Sequence, residues 1–417
     1  MTLRSVADHR FALLDALRAL PARSVPTPQA LGMVLAADVA AATDLPGFDN
    51  SAMDGYAVRA VDLAGAGESS PVTLPVDGDI AAGDSSDAVL LPGRALRIMT
   101  GAVMPSGADA VVPVEFTDGG VTEATFRLQP EPGRHIRRRG EDIRVDDVLL
   151  RAGQWLGPGH IGLITSANVA RVAVHPRPRV AVYSTGDELA PVGSVLGHGQ
   201  IVDSNGAMLA ALARAAGAEV VAVEHLPDDA GAVATLLAEL DSRPDLVVTT
   251  GGVSMGAYDT VKEVLSGAGV EFVKVAMRPG MPQGQGRIGP CATPIVALPG
   301  NPVSSLVSFH LFVLPMLARL SGAAVEVDPF VDTVAATASV GWPAAAGKLE
   351  CTRVVLEPRT DDRGGLGIRP SGGQGSHMLG ALADANALAL VPPEVTRVEP
   401  GDLLQCLPLL GQRRCYG

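Results

Sequence analysis

The stretch Arg179-Val180-Ala181-Val182-Tyr183-Ser184-Thr185-Gly186-Asp187-Glu188 places a buried-type apolar strand directly before a glycine and two carboxylates. The chain after it keeps alternating. Ser204 can cap a helix running through Ala216, Ala218 to Glu224 reads as the next strand, and Asp229 to Leu240 as the next helix. Leu246 to Thr249 is a strand, Thr260 to Ser266 part of a short helix, and Val270 to Ala276 and Pro294 to Leu298 are further strands. A long helix from Pro302 closes the unit. Apolar strands alternating with helical stripes predict an open, mostly parallel α/β domain over residues 173–322.

Working outward, residues 44–136 hold short apolar runs broken by Gly, Pro and Asp, such as Ala95-Leu96-Arg97-Ile98-Met99 and Ala110-Val111-Val112-Pro113-Val114, and predict a small β-rich domain. Val6, Phe11, Leu14, Leu17 and Leu20 recur at helical spacing on or near one face, and Pro21 stops that run. Another helix starts near Pro158 and runs toward Ser166. Residues 1–43 and 137–172 are therefore read as two segments of one discontinuous α/β linker domain, and 323–417, strand-like with Gly-rich turns, as a C-terminal β-barrel-like domain.

A chain of 417 residues exceeds what one core organises. Aromatics at 3% and a net charge of -13 argue against a nucleic-acid surface. The cysteines Cys291, Cys351, Cys406 and Cys415 form no close-spaced pair, which fits a reducing cytoplasm. The charged N-terminal residues do not read as a signal peptide, and the apolar run Val303 to Leu320 reads as a buried helix, with no membrane association expected.

Chemistry concentrates in loops that follow strands. Gly251 and Gly252 allow a tight turn with N–H groups facing an anion, Ser254 can donate to phosphate, and Asp259 can hold a metal or cap the next helix. Glu188 stands at the carboxyl edge of the sheet, where a divalent cation would reconcile it with a phosphate ligand; Asp187 can instead be a turn former. Pro299-Gly300-Asn301-Pro302 fixes the path into a helix that continues through Ser304 and whose N-terminus attracts anions. Lys274 and Arg278 can meet a phosphate or simply reach water. Arg137-Arg138-Arg139, followed by Gly140-Glu141-Asp142, can grip an anion or form a solvated turn stabilised by its own ion pairs. Asp49-Asn50-Ser51-Ala52-Met53-Asp54-Gly55 is a polar segment leading into an apolar run. No phosphate loop, G-x-G-x-x-G after a strand, H-E-x-x-H or G-x-S-x-G motif is present. Kinase, dinucleotide oxidoreductase and serine hydrolase chemistry are thereby disfavoured.

Taken in order, Pro46 to Ala57, Met99-Thr100-Gly101-Ala102, Gly140-Glu141-Asp142-Ile143, Thr185-Gly186-Asp187-Glu188-Leu189, Gly251 to Asp259, Leu298 to Ser304, Gly373-Gln374-Gly375-Ser376 and Ala385-Asn386 resemble the MoeA family across essentially the whole chain. The family comprises molybdopterin molybdenumtransferases, which insert molybdate into adenylylated molybdopterin and release AMP. The resemblance implies a four-domain subunit, a homodimer with an active cleft shared between subunits, and Mg2+ or Zn2+ as metal aid. It further implies transient contact with a molybdopterin adenylyltransferase, whose own domain the α/β unit resembles, and with molybdoenzyme maturation proteins. Carried over by position, Asp54 and Thr100 would orient molybdate or bind metal in the small β domain. Asp142, Glu188 and Asp259 would position the cation, Lys274 and Arg278 would hold phosphate, and Pro299 and Pro302 would form a rigid loop. Met281 stands where the family often has Lys, and Gln283-Gly284-Gln285-Gly286 replaces a more aromatic stretch. That departure keeps a non-catalytic molybdopterin-binding scaffold in competition, beside a molybdopterin adenylyltransferase.

Overall fold

The computed structural model describes residues 3–84, 87–231, 233, 235, 244–253, 260–359 and 364–411. The centre is a six-stranded sheet in the order Glu219–Leu226, Arg179–Thr185, Leu246–Thr250, Thr293–Leu298, Pro282–Ile288, Glu271–Lys274. The first four strands are parallel, and Pro282–Ile288 runs antiparallel to both of its neighbours. The chain leaves Arg179–Thr185 through the helix Asn205–Ala215 to the strand on one side. It then returns to Leu246–Thr250 on the other side. The connections diverge between these two strands, which makes their carboxyl ends the switch point where open α/β sheets hold ligands.

The strand Pro282–Ile288 is not anticipated by the sequence. Its Pro, Gln and Gly residues have low strand propensity, yet the packing needs them: a Cβ on Gly286 would lie 2.6 Å from the Gly269 carbonyl oxygen. Much of the helix read over 229–240, and the loop bearing Ser254 and Asp259, fall outside the described residues.

The N-terminal helix spans Val6–Asp15, shorter than its periodicity suggests, and Arg18 donates to the Asp15 carbonyl beyond its end. It packs on the long helical segment Pro302–Leu320 of the α/β unit, with Val6, Leu13, Leu14 and Leu17 in the same core as Leu306, Phe312 and Leu317. Phe11 does not join that face. It is 55% exposed, whereas His9 and Arg10 are buried, because the inward stripe runs through positions 6, 10, 13, 14 and 17. Pro302–Leu320 is long and apolar enough to cross a membrane, but 83% of its apolar window is buried inside the protein.

The remaining units are β-rich. Arg23–Pro26 and Val34–Leu35 pair with Arg171–His175, and Val39–Ala40 with Val148–Leu150, so distant stretches make one linker unit with the helix Pro158–Ser166. Five strands, Ala110–Pro113, Gly55–Val58, Ala95–Ile98, Val72–Ile80 and Glu123–Phe126, form the small domain, with Tyr56 and Phe126 edge-to-face at its centre. The C-terminal strands Leu349–Pro358, Leu366–Pro370, Val334–Ala338, Leu403–Pro408 and Ala387–Val391 close into a barrel, since the last pairs back onto the first. Leu349, Leu388 and Leu407 of the barrel share the core of the α/β unit.

Candidate functional site

A cavity of about 780 Å³ opens at the switch point. Thr185, Gly186 and Glu188 come from the end of one strand, Thr250, Gly251 and Gly252 from the next, and Pro299, Gly300, Asn301 and Pro302 from the third. These three sequence-predicted loops therefore converge. A Cβ on Gly251 would stand 2.4 Å from the Thr185 carbonyl oxygen, and its φ of +94° is a glycine conformation. Only glycine lets the two strand ends close on each other there.

Beneath the cavity the loops are tied by buried hydrogen bonds. Asn205 Nδ2 donates to the Gly300 carbonyl at 2.6 Å and to Thr250 Oγ1 at 3.0 Å. Thr250 Oγ1 lies 3.1 Å from the Pro299 carbonyl and 2.9 Å from Ser305 Oγ, which also donates to Pro299. Ser184 donates to Asp203 at 2.5 Å, and the other Asp203 oxygen accepts from Gly206 N–H at 3.0 Å. Asp203, not the side chain of Ser204, thus caps the helix Asn205–Ala215. Asp187 accepts from Asp228 N–H at 3.0 Å, which places it in the turn rather than in the cavity wall.

Two expected anion donors are already engaged. Gly251 N–H donates to the Leu298 carbonyl at 3.1 Å, and Val303 N–H, at the start of the helix, donates to the Ser376 carbonyl at 3.1 Å. The second contact brings the C-terminal barrel to the cavity. Fully buried Arg353 donates to the carbonyls of Gly373 at 2.6 Å and of Gly375 and Met378 at 3.1 Å, holding a loop that sets His377 and Leu379 into the cavity wall. Asp203, Asn205, Asp228, Pro282, His377 and Leu379 are lining residues that motif reading passed over. Asp203-Ser204-Asn205 carried a signal in its capping chemistry, whereas His377 carried none because a separate domain delivers it.

The other candidates lie elsewhere in the chain. Asp54 Oδ1 accepts from Thr100 N–H at 2.7 Å and from Thr100 Oγ1 at 2.8 Å, and these bonds lower its pKa. The pair is exposed in the small β domain and does not line the cavity. Nor do Asp142, Arg137, Lys274, Arg278 or Ser304. Arg138 pairs with Asp49 at 2.6 Å and Arg139 with Asp44 at 2.5 Å, so the guanidinium groups of the basic turn are paired with carboxylates far away in sequence, while the turn's own Glu141 accepts from Arg138 N–H at 2.8 Å. Arg278 faces Glu350 of the barrel at 3.9 Å. Among the described residues no three His, Cys, Asp or Glu side chains gather as a metal centre.

The chain matches three consecutive family models: the MoeA N-terminal region (domain I and II) over residues 4–168, the probable molybdopterin binding domain over 181–319, and the MoeA C-terminal region (domain IV) over 335–409. It is 46% identical to molybdopterin molybdenumtransferase 2 of Mycobacterium tuberculosis over 97% of this chain and 99% of that one. The chain belongs to the MoeA family. It is also 36% identical to the molybdopterin molybdenumtransferase of Haemophilus influenzae, over 91% of this chain and 92% of the relative. The crystal structure of a MoeA protein from Pyrococcus horikoshii superposes with a TM-score of 0.79 at 28% identity, covering 99% of this chain and 100% of that one. In this MoeA chain the cavity lies at the carboxyl edge of the sheet within the part matched to the molybdopterin binding domain.

Proposed function

We propose that this protein is a molybdopterin molybdenumtransferase: it takes adenylylated molybdopterin and molybdate, cleaves the phosphoanhydride with release of AMP, and leaves molybdenum on the pterin dithiolene. The reading is carried by one observation, the full-length agreement with transferases of this name, with the switch-point cavity in the matching domain. The adenylyltransferase alternative accounts only for residues 181–319 and leaves both flanking regions without a role.

The chain's contribution is binding and orientation. The described lining carries Glu188, Asp203 and Asp228 but no Lys or Arg. A substrate bearing a pyrophosphate therefore needs countercharge from outside this set. The donors are mainly oxygens, a set that suits Mg2+, which binds through one or two carboxylates together with substrate phosphates. Glu188 would hold such an ion, and the ion would neutralise the phosphate oxygens. The rigid Pro299–Pro302 loop and the glycine turn shape the pocket, and His377 offers a donor from the barrel. Asp54, held by Thr100, would orient molybdate from the partner subunit of a homodimer, because in its own chain it is not part of the cavity wall.

The test supplies adenylylated molybdopterin to the purified protein with and without molybdate and Mg2+, and measures AMP. Molybdate-dependent release, lost with chelator and reduced at least about tenfold in Asp54→Ala and Glu188→Gln, is the expected result. Tight binding without any AMP release would instead select a scaffold, the reading that Met281 favours.

A further inference from the structure

Arg10 is 4% exposed, an unusual state for a guanidinium. Its Nε donates to the Glu326 carbonyl at 3.1 Å. Among the described residues its terminal nitrogens make no hydrogen bond and no carboxylate lies within ion-pair distance. They are also not sealed away as buried unpaired atoms. They face a second cavity, about 670 Å³, within the size range of small-molecule sites. Its walls come from five places: the N-terminal helix, Trp155 of the linker unit, His310 and Leu314 of the long helix, Val325 and Asp332 of the connecting segment, and Leu409 of the C-terminal barrel.

We infer that this junction binds a small organic carboxylate with an apolar, planar body, gripped by Arg10. A guanidinium takes a carboxylate through two parallel hydrogen bonds, and Arg10 has both terminal nitrogens to give. Burial pulls its pKa down from the ordinary value while the fields of Asp332 and Asp328 push it back up; the net direction is down, so those carboxylates compensate the buried charge incompletely. An anion placed directly on the guanidinium completes the compensation. Trp155, 43% exposed, offers a ring face, and Leu314, Pro315 and Val325 offer apolar wall. His310 does not compete for the anion. Its Nδ1 is bonded to the Leu306 carbonyl at 2.9 Å and its Nε2 accepts from Leu410 N–H at 3.0 Å, which fixes it neutral. The site is independent of the cavity at the sheet's carboxyl edge and shares no lining residue with it.

The probe is 2-naphthoate, titrated into the full-length protein and followed by tryptophan fluorescence and equilibrium dialysis, with neutral 2-naphthamide as its control. One naphthoate per chain is expected, with the amide at least about tenfold weaker and Arg10→Gln losing naphthoate to the same extent. Asp332→Asn, on the exposed rim, removes a like charge and should tighten naphthoate about two- to fivefold. This second variant decides the matter if Arg10→Gln does not fold. Equal binding of naphthoate and naphthamide, or an Asp332→Asn affinity unchanged or weaker, overturns the inference.

Discussion

Thr250→Val tests whether the hydroxyl of Thr250 locks the strand-end loops. Thr250 is 1% exposed, and valine keeps its shape while deleting Oγ1. Pro299 keeps a donor, because Ser305 Oγ also reaches its carbonyl. Asn205 does not: one N–H still meets the Gly300 carbonyl, but the other loses Thr250 and is left buried without an acceptor. An orphaned buried donor costs roughly 1–3 kcal/mol and a lost neutral hydrogen bond about 1 kcal/mol. The added methyl returns about 0.8 kcal/mol. The balance is a loss of about 2 kcal/mol, or about a 30-fold rise in the population of the locally opened state. Hydrogen exchange by mass spectrometry over Leu246–Thr250 and Thr293–Leu298 reads that opening in the intact chain without assuming that all domains unfold together. Exchange in Thr250→Val within about twofold of the natural protein would refute the reasoning, since about 0.4 kcal/mol cannot accommodate an orphaned buried amide.

Gly251→Ala forces a Cβ against the Thr185 carbonyl at a positive φ; strain of about 1–3 kcal/mol is expected, seen as a lowered Tm in calorimetry together with weakened binding of adenylylated molybdopterin. Arg353→Lys keeps the charge but cannot span three carbonyls, so a loss of about 2–4 kcal/mol in urea unfolding followed at Trp342, in the core of the C-terminal domain, is expected, with weaker substrate binding as His377 shifts. The histidines make stability fall with acid. Burial lowers the pKa of His9 to about 3 and of His310 to about 4 in the fold, from an ordinary 6.5. The unfolded chain therefore binds the extra protons, and their stabilisation is complete above pH 6.5 and declines below it. Each contributes a slope of about 1.4 kcal/mol per pH unit between about pH 6 and 4.5. Urea unfolding at pH 7, 6 and 5 should show this decline, and a flat profile contradicts it.

How much was legible in the chain follows from how local each signal is. The loops after Arg179–Thr185, Leu246–Thr250 and Thr293–Leu298 could be read because an apolar run, a strand end and a glycine or proline turn are contiguous in sequence. The helix Pro158–Ser166 was equally plain, with proline in its first turn. Pro282–Ile288 was hidden because its glycines answer to contacts with residues outside it, such as Gly269. Arg10 was hidden for a related reason. Periodicity assigned the inward face by hydrophobicity and so chose Phe11 with Val6, Leu14 and Leu17; those three are buried, but Phe11 turns outward while Arg10 and Leu13 turn inward. His377 depends on Arg353, a residue on another element whose guanidinium organises the loop by bonds to carbonyls, and no spacing rule encodes that.

The same geometry bears on why one subunit is not expected to suffice. The polar groups on the described side of the cavity at the sheet edge are carboxylates, neutral donors and one histidine, while two backbone N–H groups expected to face an anion are spent on Leu298 and Ser376. The cationic side chains read as substrate contacts lie off this wall: Arg278 is turned to Glu350, and Arg138 and Arg139 are paired with Asp49 and Asp44. A highly anionic substrate bound there alone would face like charge. Bringing the Asp54–Thr100 end of a second small β domain over the cavity does not by itself correct that, since it adds a carboxylate. It makes a divalent cation more necessary, because several carboxylates and a pyrophosphate can share one closed space only around a positive ion. Metal dependence and subunit sharing are thus linked in the proposed reaction: if the proposed homodimer forms, dilution that separates its subunits should weaken Mg2+ binding measured in the presence of adenylylated molybdopterin, and unchanged Mg2+ affinity on dilution to the monomer would separate the two.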